Sequence, residues 1–194
     1  MRGLTHEDKG NIDKILAERI EKVQARRGKR RLVLGAAGVA VGVYLLAGVI
    51  FGIAVIDGVS MQPTLYDRDL AFLYRLDQQY EYGDVVVLKK GDKNHLTKRV
   101  VGVPGDIIDI DNSKGLLMRN GAPVEEAYVF APTRLKDYGV ELPLTLGASE
   151  YFVLGDNRES SEDSRNFGSV EKADIVGRIL SVMRSGAGVH GKTE

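Results

Sequence analysis

"LVLGAAGVAVGVYLLAGVIFGIAVI", Leu32–Ile56, runs for 25 residues without a charge. As a helix it would reach about 37 Å at roughly 1.5 Å per residue, enough to cross a hydrocarbon core of about 30 Å with some tilt. Core helices of soluble proteins seldom stay uncharged over such a length. A cleavable signal sequence has an apolar region nearer 7–15 residues, ending in a small-x-small site. The stretch 32–56 is therefore read as a single transmembrane helix. "QARRGKRR" gathers Arg26, Arg27, Lys29, Arg30 and Arg31 on its N-terminal flank, and a basic flank marks the cytoplasmic side. Residues 1–31 are then a cytoplasmic leader and residues 57–184 an extracytoplasmic domain. The small, polar "SGAGVHGKTE" of 185–194 reads as a flexible tail.

In the leader, Ile12, Ile15, Leu16, Ile20 and Val23 recur at helical spacing among charged residues, the pattern of an amphipathic helix at an interface. Within the span, Gly38 with Gly42 and Gly48 with Gly52 form small-xxx-small pairs of the kind that let membrane helices approach. They leave the oligomeric state open. Beyond the span the pattern changes. "DLAFLYRL", "DVVVLKK", "HLTKRVVGV", "DIIDIDN", "GLLMRNG", "EYFVLG" and "DIVGRILSVM" are short β-branched or aromatic runs, separated by Tyr-Gly-Asp, Pro-Gly-Asp, Asn-Gly and Gly-Asp-Asn turns. The expected fold class is mainly β: one N-terminal transmembrane helix followed by a small antiparallel β domain. The stretch Ala122–Leu146 holds three of the five prolines and reads as loop.

Composition narrows the chemistry. The 27 basic and 27 acidic residues balance, so no nucleic-acid partner is implied. There is no cysteine, which excludes disulfides, a thiol nucleophile and cysteine-based zinc sites. The three histidines are scattered and form no HExxH-type pair for a catalytic metal.

"DGVSMQPTL", 57–65, places Ser60 just past the apolar run. A nucleophilic serine needs a base. His6 lies on the far side of the bilayer, His190 in the tail, and His95 in the "KKGDKNH" turn, so a Ser-His-Asp triad has little support. In "HLTKRVVGVPGD", Lys98 follows Leu96 by two and precedes Val100 by two; in a strand these three share a face, opposite Thr97, Arg99 and Val101. Free lysine, with a pKa of about 10.4, is neutral in only about one molecule in 2,500 at pH 7. Burial lowers that pKa by up to about 3–5 units and yields an amine able to accept a serine proton. A lysine that merely snorkels from a strand edge fits the same spacing. A third stretch, "YFVLGDNRESSEDSRNFG" from Tyr151 to Gly168, runs from a strand into a loop dense in hydroxyls and paired charges. It is either a polar structural turn or the frame that orients an amine.

Taken together, "SMQPTL", "KRVVGVPGD" and "GDNRESSEDSRNFG", in that order behind a basic flank and one span, resemble the motifs of the bacterial type I signal peptidases. These are membrane-bound Ser/Lys proteases that remove signal peptides from exported proteins. The resemblance covers roughly Arg26 to Met183. It implies that Ser60 is the nucleophile and Lys98 the general base. Ser161, not its neighbour Ser160, falls at the position of a serine that hydrogen-bonds the lysine. Asp163 and Arg165 match a bracing charged pair, which Arg99 is expected to join. The Ser60 N–H would serve the oxyanion. Some relatives add a hydroxyl two positions before the nucleophile, where this chain has Gly58. The short interval between the second and third motifs implies that the large extra domain of some relatives is missing.

The implied partners are signal-peptide-bearing preproteins, with small residues at –1 and –3, and the lipid bilayer; no metal or organic cofactor is implied. A self-cleaving Ser/Lys repressor would carry a DNA-binding helix pair in place of the span. A catalytically inactive membrane-anchored β-module that binds a partner is the alternative of a different class.

Overall fold

A computed structural model describes residues 6–90 and 94–184. The chain divides into two compact units, one ending at Gly48 and the other beginning at Val49. The first holds helix α1, His6–Ile50, except for its last two residues. Its portion Lys29–Ile50 is 22 residues long, apolar, with none of its apolar window buried, and long enough to cross a membrane. The side chains of Ile12, Ile15, Leu16, Ile20 and Val23 lie outside the described ones, as do residues 185–194 with His190.

The apolar run does not remain helical to Ile56. It divides at Ile50, and Phe51–Val55 forms strand β1. Strand β1 pairs antiparallel with β2 (Leu70–Tyr74), matching Phe51 to Tyr74, Ile53 to Phe72 and Val55 to Leu70. The span expected over 32–56 is corrected accordingly. Hydropathy cannot tell a helix from a strand in a short apolar run, and here the free edge of β2 decides. Ile56 then turns inward and is 3% exposed, with its N–H bonded to Asp69 O and its carbonyl accepting from Arg68 N–H.

The runs read as strands are strands. β3 (Val85–Lys90) and β4 (Asn94–Gly102) form a hairpin, β5 is Ile107–Asp111 and β6 is Leu116–Arg119. Within the stretch read as loop only the two-residue strands β7 (Ala122–Pro123) and β8 (Leu144–Thr145) form. β9 (Glu150–Leu154) leads to a short helix α2 (Ser164–Phe167), strand β10 (Val170–Glu171) and the long β11 (Ile175–Met183). A seven-stranded sheet runs β1-β2-β11-β3-β4-β9-β10 and a four-stranded one β7-β6-β5-β8, with every pairing antiparallel.

Period-two alternation divides the core. Val86, Leu88, Val100, Tyr151 and Val153 pack with Tyr80 and Ile175, with Leu96 against them. Val101, Phe152 and Leu154, from the opposite faces of β4 and β9, meet Ile108, Ile110, Leu117 and Leu146 of the smaller sheet's region. A third cluster of Ile56, Met61, Leu65 and Ala71 underlies the turn that carries Ser60. Met61 and Leu65, at helical spacing and bridged by a 2.9 Å bond from Leu65 N–H to Met61 O, anchor that turn in the core.

Candidate active site

Lys98 lies opposite Val86 in the β3–β4 ladder, on the face shared with Leu96 and Val100. That register submerges a long basic side chain to 2% exposure. Burial, the largest influence, pulls its pKa down from 10.5 to about 8, against the opposing pull of Asp163 and Glu162. Its Nζ is 2.8 Å from Ser60 Oγ. In the ammonium form Nζ donates to the hydroxyl; once neutral, its lone pair accepts the hydroxyl proton. The two groups come from positions 38 residues apart.

The loop after β9 closes around this pair. A Cβ on Gly155 would stand 2.2 Å from Ser161 Oγ and 2.5 Å from Ser60 O, so only glycine lets the Ser60 backbone approach the end of β9 so closely. Asp163 is fully buried and N-caps α2 through a capping box with Asn166. Both of its oxygens engage the Arg165 guanidinium at 2.9 Å, and Oδ2 also accepts from Gly155 N–H at 3.1 Å. Burial pushes the Asp163 carboxyl up, but Arg165 prevails and holds it below the usual carboxylate range.

Ser161 is buried and Ser160 exposed. Ser161 Oγ sits beside Asp163 but outside hydrogen-bond geometry, and it has no protein partner. The expected bond from Ser161 to Lys98 is not formed in this arrangement, where Nζ is directed at Ser60. Arg99 is likewise corrected. It joins Asp156 and not the Asp163–Arg165 pair, with Nε–Oδ1 at 2.8 Å and Nη2–Oδ2 at 2.6 Å. Neighbours on a strand face opposite ways, so a guanidinium next to Lys98 cannot reach the carboxylate on the lysine's side. Arg99 also donates to Gly83 O at 2.8 Å and to Thr64 Oγ1 at 3.4 Å, and its Cζ lies 4.0 Å from the centroid of the Tyr128 ring. Gly58 has φ +85 and its N–H donates to Asp67 Oδ1 at 2.9 Å, so position 58 offers no side-chain donor and its amide is already engaged. His95 is exposed at the start of β4.

Some contributors carry little signal in the sequence. Arg158, 1% exposed, forms a two-pronged pair with Glu126 at 2.7 and 2.8 Å, and also bonds Gly155 O at 3.0 Å and Thr133 Oγ1. Arg165 reaches Arg158 O at 2.6 Å and Arg134 O at 3.2 Å. Two arginines thus fasten the strand-poor excursion after β6 to the loop that surrounds Lys98. Asn157 donates its N–H to Ser60 O at 3.0 Å. The polar density of "GDNRESSEDSRNFG" marks this loop as a frame, but nothing local points from Arg158 to Glu126, 32 positions earlier.

A serine hydroxyl 2.8 Å from a buried lysine amine, in a β domain that follows an apolar helix long enough to cross a membrane, is the arrangement a serine-lysine hydrolase requires. A family model described as "Signal peptidase, peptidase S26" matches residues 29–183. Over 144 residues the chain is 38% identical to signal peptidase I S of Bacillus subtilis (strain 168), covering 69% of this chain and 77% of that protein. It is 37% identical over 143 residues to a signal peptidase I of Bacillus amyloliquefaciens, covering 69% and 76%. A solved signal peptidase I from Enterococcus faecalis V583 is 27% identical, with a TM-score of 0.42 over 54% of this chain and 98% of that one. The chain belongs to the signal peptidase family, peptidase S26. Members of that family are serine endopeptidases, and a Ser/Lys dyad is their general property.

Proposed function

We propose that Ser60 is the nucleophile and Lys98 the general base of this signal peptidase, with Asp163 and Arg165 as the charged pair that frames the lysine and Ser161 buried beside them. The activity is cleavage of signal peptides by a type I signal peptidase. The observation that supports the residue assignment is the 2.8 Å contact between a hydroxyl and an amine 2% exposed. Neutral Lys98 takes the Ser60 proton as Oγ attacks the carbonyl after a small residue. The Ser60 N–H faces the developing oxyanion. The protonated lysine returns the proton to the leaving amine, then draws one from water to release the acyl group. Asp163, locked to Arg165, supplies negative charge near Lys98 without competing for its proton.

The same reading places the leader, with its basic flank, in the cytoplasm and the β domain outside, the helix from Lys29 to Ile50 being the span. Ser60 follows the helix by ten residues, five of them strand β1. Anchoring enzyme and preprotein in one bilayer raises their effective concentration, since the cleavage site of a signal peptide also follows its apolar segment. Preproteins with small residues at –1 and –3, and the bilayer itself, are the proposed partners.

Processing of a purified preprotein by the full chain tests the assignment. Ser60→Ala and Lys98→Ala are each expected to lower the rate at least about 10³-fold while folding normally. Parental rates in both would refute the dyad.

A further inference from the structure

The peptide unit between Val59 and Ser60 carries, at one edge, the N–H assigned above to the oxyanion and, at the other, the carbonyl of Val59. Because the unit is planar and trans, whatever fixes that carbonyl also fixes the direction of the N–H. Packing does little to fix it. Val59 is 45% exposed, and Gly58 before it has φ +85 with open space where a Cβ would stand. Hydrogen bonds supply the constraint. Val59 O accepts from Gln62 N–H at 3.1 Å, within the turn, and from Asn157 Nδ2 at 3.3 Å, across from the other loop. Asn157 also donates its own N–H to Ser60 O at 3.0 Å, so one residue grips the peptide planes on both sides of the serine.

The amide orientation of Asn157 follows from its partners. Ser160 N–H, 3.3 Å from Oδ1, can only donate, and the Val59 carbonyl can only accept. The backbone beneath Asn157 is anchored. Asp156 on one side is 2% exposed and paired with Arg99; Arg158 on the other is 1% exposed and paired with Glu126. A donor projected from so fixed a base can hold a loosely packed peptide in place.

We propose that Asn157 is a positioning residue that sets the direction of the Ser60 N–H by holding the carbonyl at the opposite edge of the same peptide. The proposal rests on the reading of Ser60 as nucleophile and of its amide as oxyanion donor.

Asn157→Asp is the informative variant. It keeps the acceptor for Ser160 N–H and the backbone bond to Ser60 O, and it puts an acceptor where the donor to Val59 O stood. Full-length protein in detergent is assayed with a synthetic peptide spanning a cleavage site. Its affinity is measured for a peptide aldehyde, which adds Ser60 Oγ to its carbonyl carbon, passes the hydroxyl proton to Lys98 and leaves the negative charge on the aldehyde oxygen. The matching peptide alcohol, which cannot form that adduct, reports ground-state binding. For Asn157→Asp, kcat is expected to fall about 10- to 100-fold with KM within about twofold, aldehyde affinity to fall by the same factor, and alcohol affinity to stay at the parental value. Asn157→Ala, which removes the donor without adding an acceptor, is expected to fall between the parent and Asn157→Asp. The proposal is overturned by parental kcat and aldehyde affinity in Asn157→Asp, by a defect in Asn157→Ala alone, which would trace the role to Ser160, or by equal losses for aldehyde and alcohol. The underlying dyad is judged separately: cleavage by Ser60→Ala would sink it whatever the Asn157 variants do, and a parental Asn157→Asp leaves it standing.

Discussion

Lys98 is buried at a cost that its pKa records. With its pKa drawn down to about 8 from 10.5, the folded state binds fewer protons than the unfolded one between those two values. Stability therefore rises with pH across that window, and below about pH 8 the burial penalty is present in full. A shift of this size amounts to roughly 3 kcal/mol. Lys98→Met, similar in length and uncharged, is expected to abolish cleavage yet raise stability at pH 7 by about 1–3 kcal/mol in urea denaturation, a gain that shrinks toward pH 10.5. The reaction has the matching sign. Only the neutral amine accepts a proton, so kcat/KM should climb with pH through a limb near 8, well below that of free lysine. A limb near 10.5 would show that the burial seen around Lys98 does not govern its proton. At this scale the sequence was informative: Leu96, Lys98 and Val100 share a face by period two, and that face is the core. The same periodicity forbids Arg99 from reaching Asp163, although the motif resemblance put them together.

Among the elements, the loop after β9 and the excursion after β6 depend on each other. Removing one partner of a buried ion pair strands the other charge, at a typical cost of about 3–5 kcal/mol, whereas replacing both with apolar residues is often nearly neutral. Glu126→Ala is thus expected to destabilise by about 3 kcal/mol or more and to lower activity, because Arg158 would lose both carboxylate contacts while still holding Gly155 O. The double variant Glu126→Leu with Arg158→Met should recover much of that loss in a denaturant titration; if the single and double variants are equally unstable, the pair is not what ties the excursion down. Ala122–Leu146 was legible as loop from its prolines, and with two short bridges it is one. Its attachment was not legible, because the residues that fasten it, Glu126 and Thr133, lie 32 and 25 positions from their partner Arg158.

For the molecule as a whole, the division of the apolar run has a direct consequence. A soluble chain cut where hydropathy ends, at Asp57, would lose β1 and also Ile56, a buried member of the cluster under the Ser60 turn. It would expose the β2 edge as well, an invitation to association. Loss of the Ile56 side chain alone costs about 2–5 kcal/mol by the usual measure of large-to-small core changes. A chain beginning at Val49 keeps strand, edge and core. The Val49 chain should therefore unfold cooperatively and cleave a soluble peptide at close to the parental kcat/KM, while the Asp57 chain melts lower and aggregates. Equal melting temperatures for the two would show that β1 contributes nothing to the fold. Both are expected to process a membrane-embedded preprotein more slowly than the full chain, since neither shares its bilayer.

The sequence by itself determined what local rules govern: an uncharged stretch long enough for a bilayer, short β-branched runs with turn signals between them, and a serine, a lysine and a polar loop in a family's order. Tertiary structure alone decided where the helix yields to a strand at Phe51, that Asp156 is the partner of Arg99, that Arg158 reaches back to Glu126, and that Asn157 grips the peptides flanking Ser60. Periodicity and turn chemistry act over a few residues and can be read in order along the chain. Edge pairing, buried ion pairs and loop-to-loop hydrogen bonds join positions far apart, and which of many compatible partners each finds is settled only when the strands take their places.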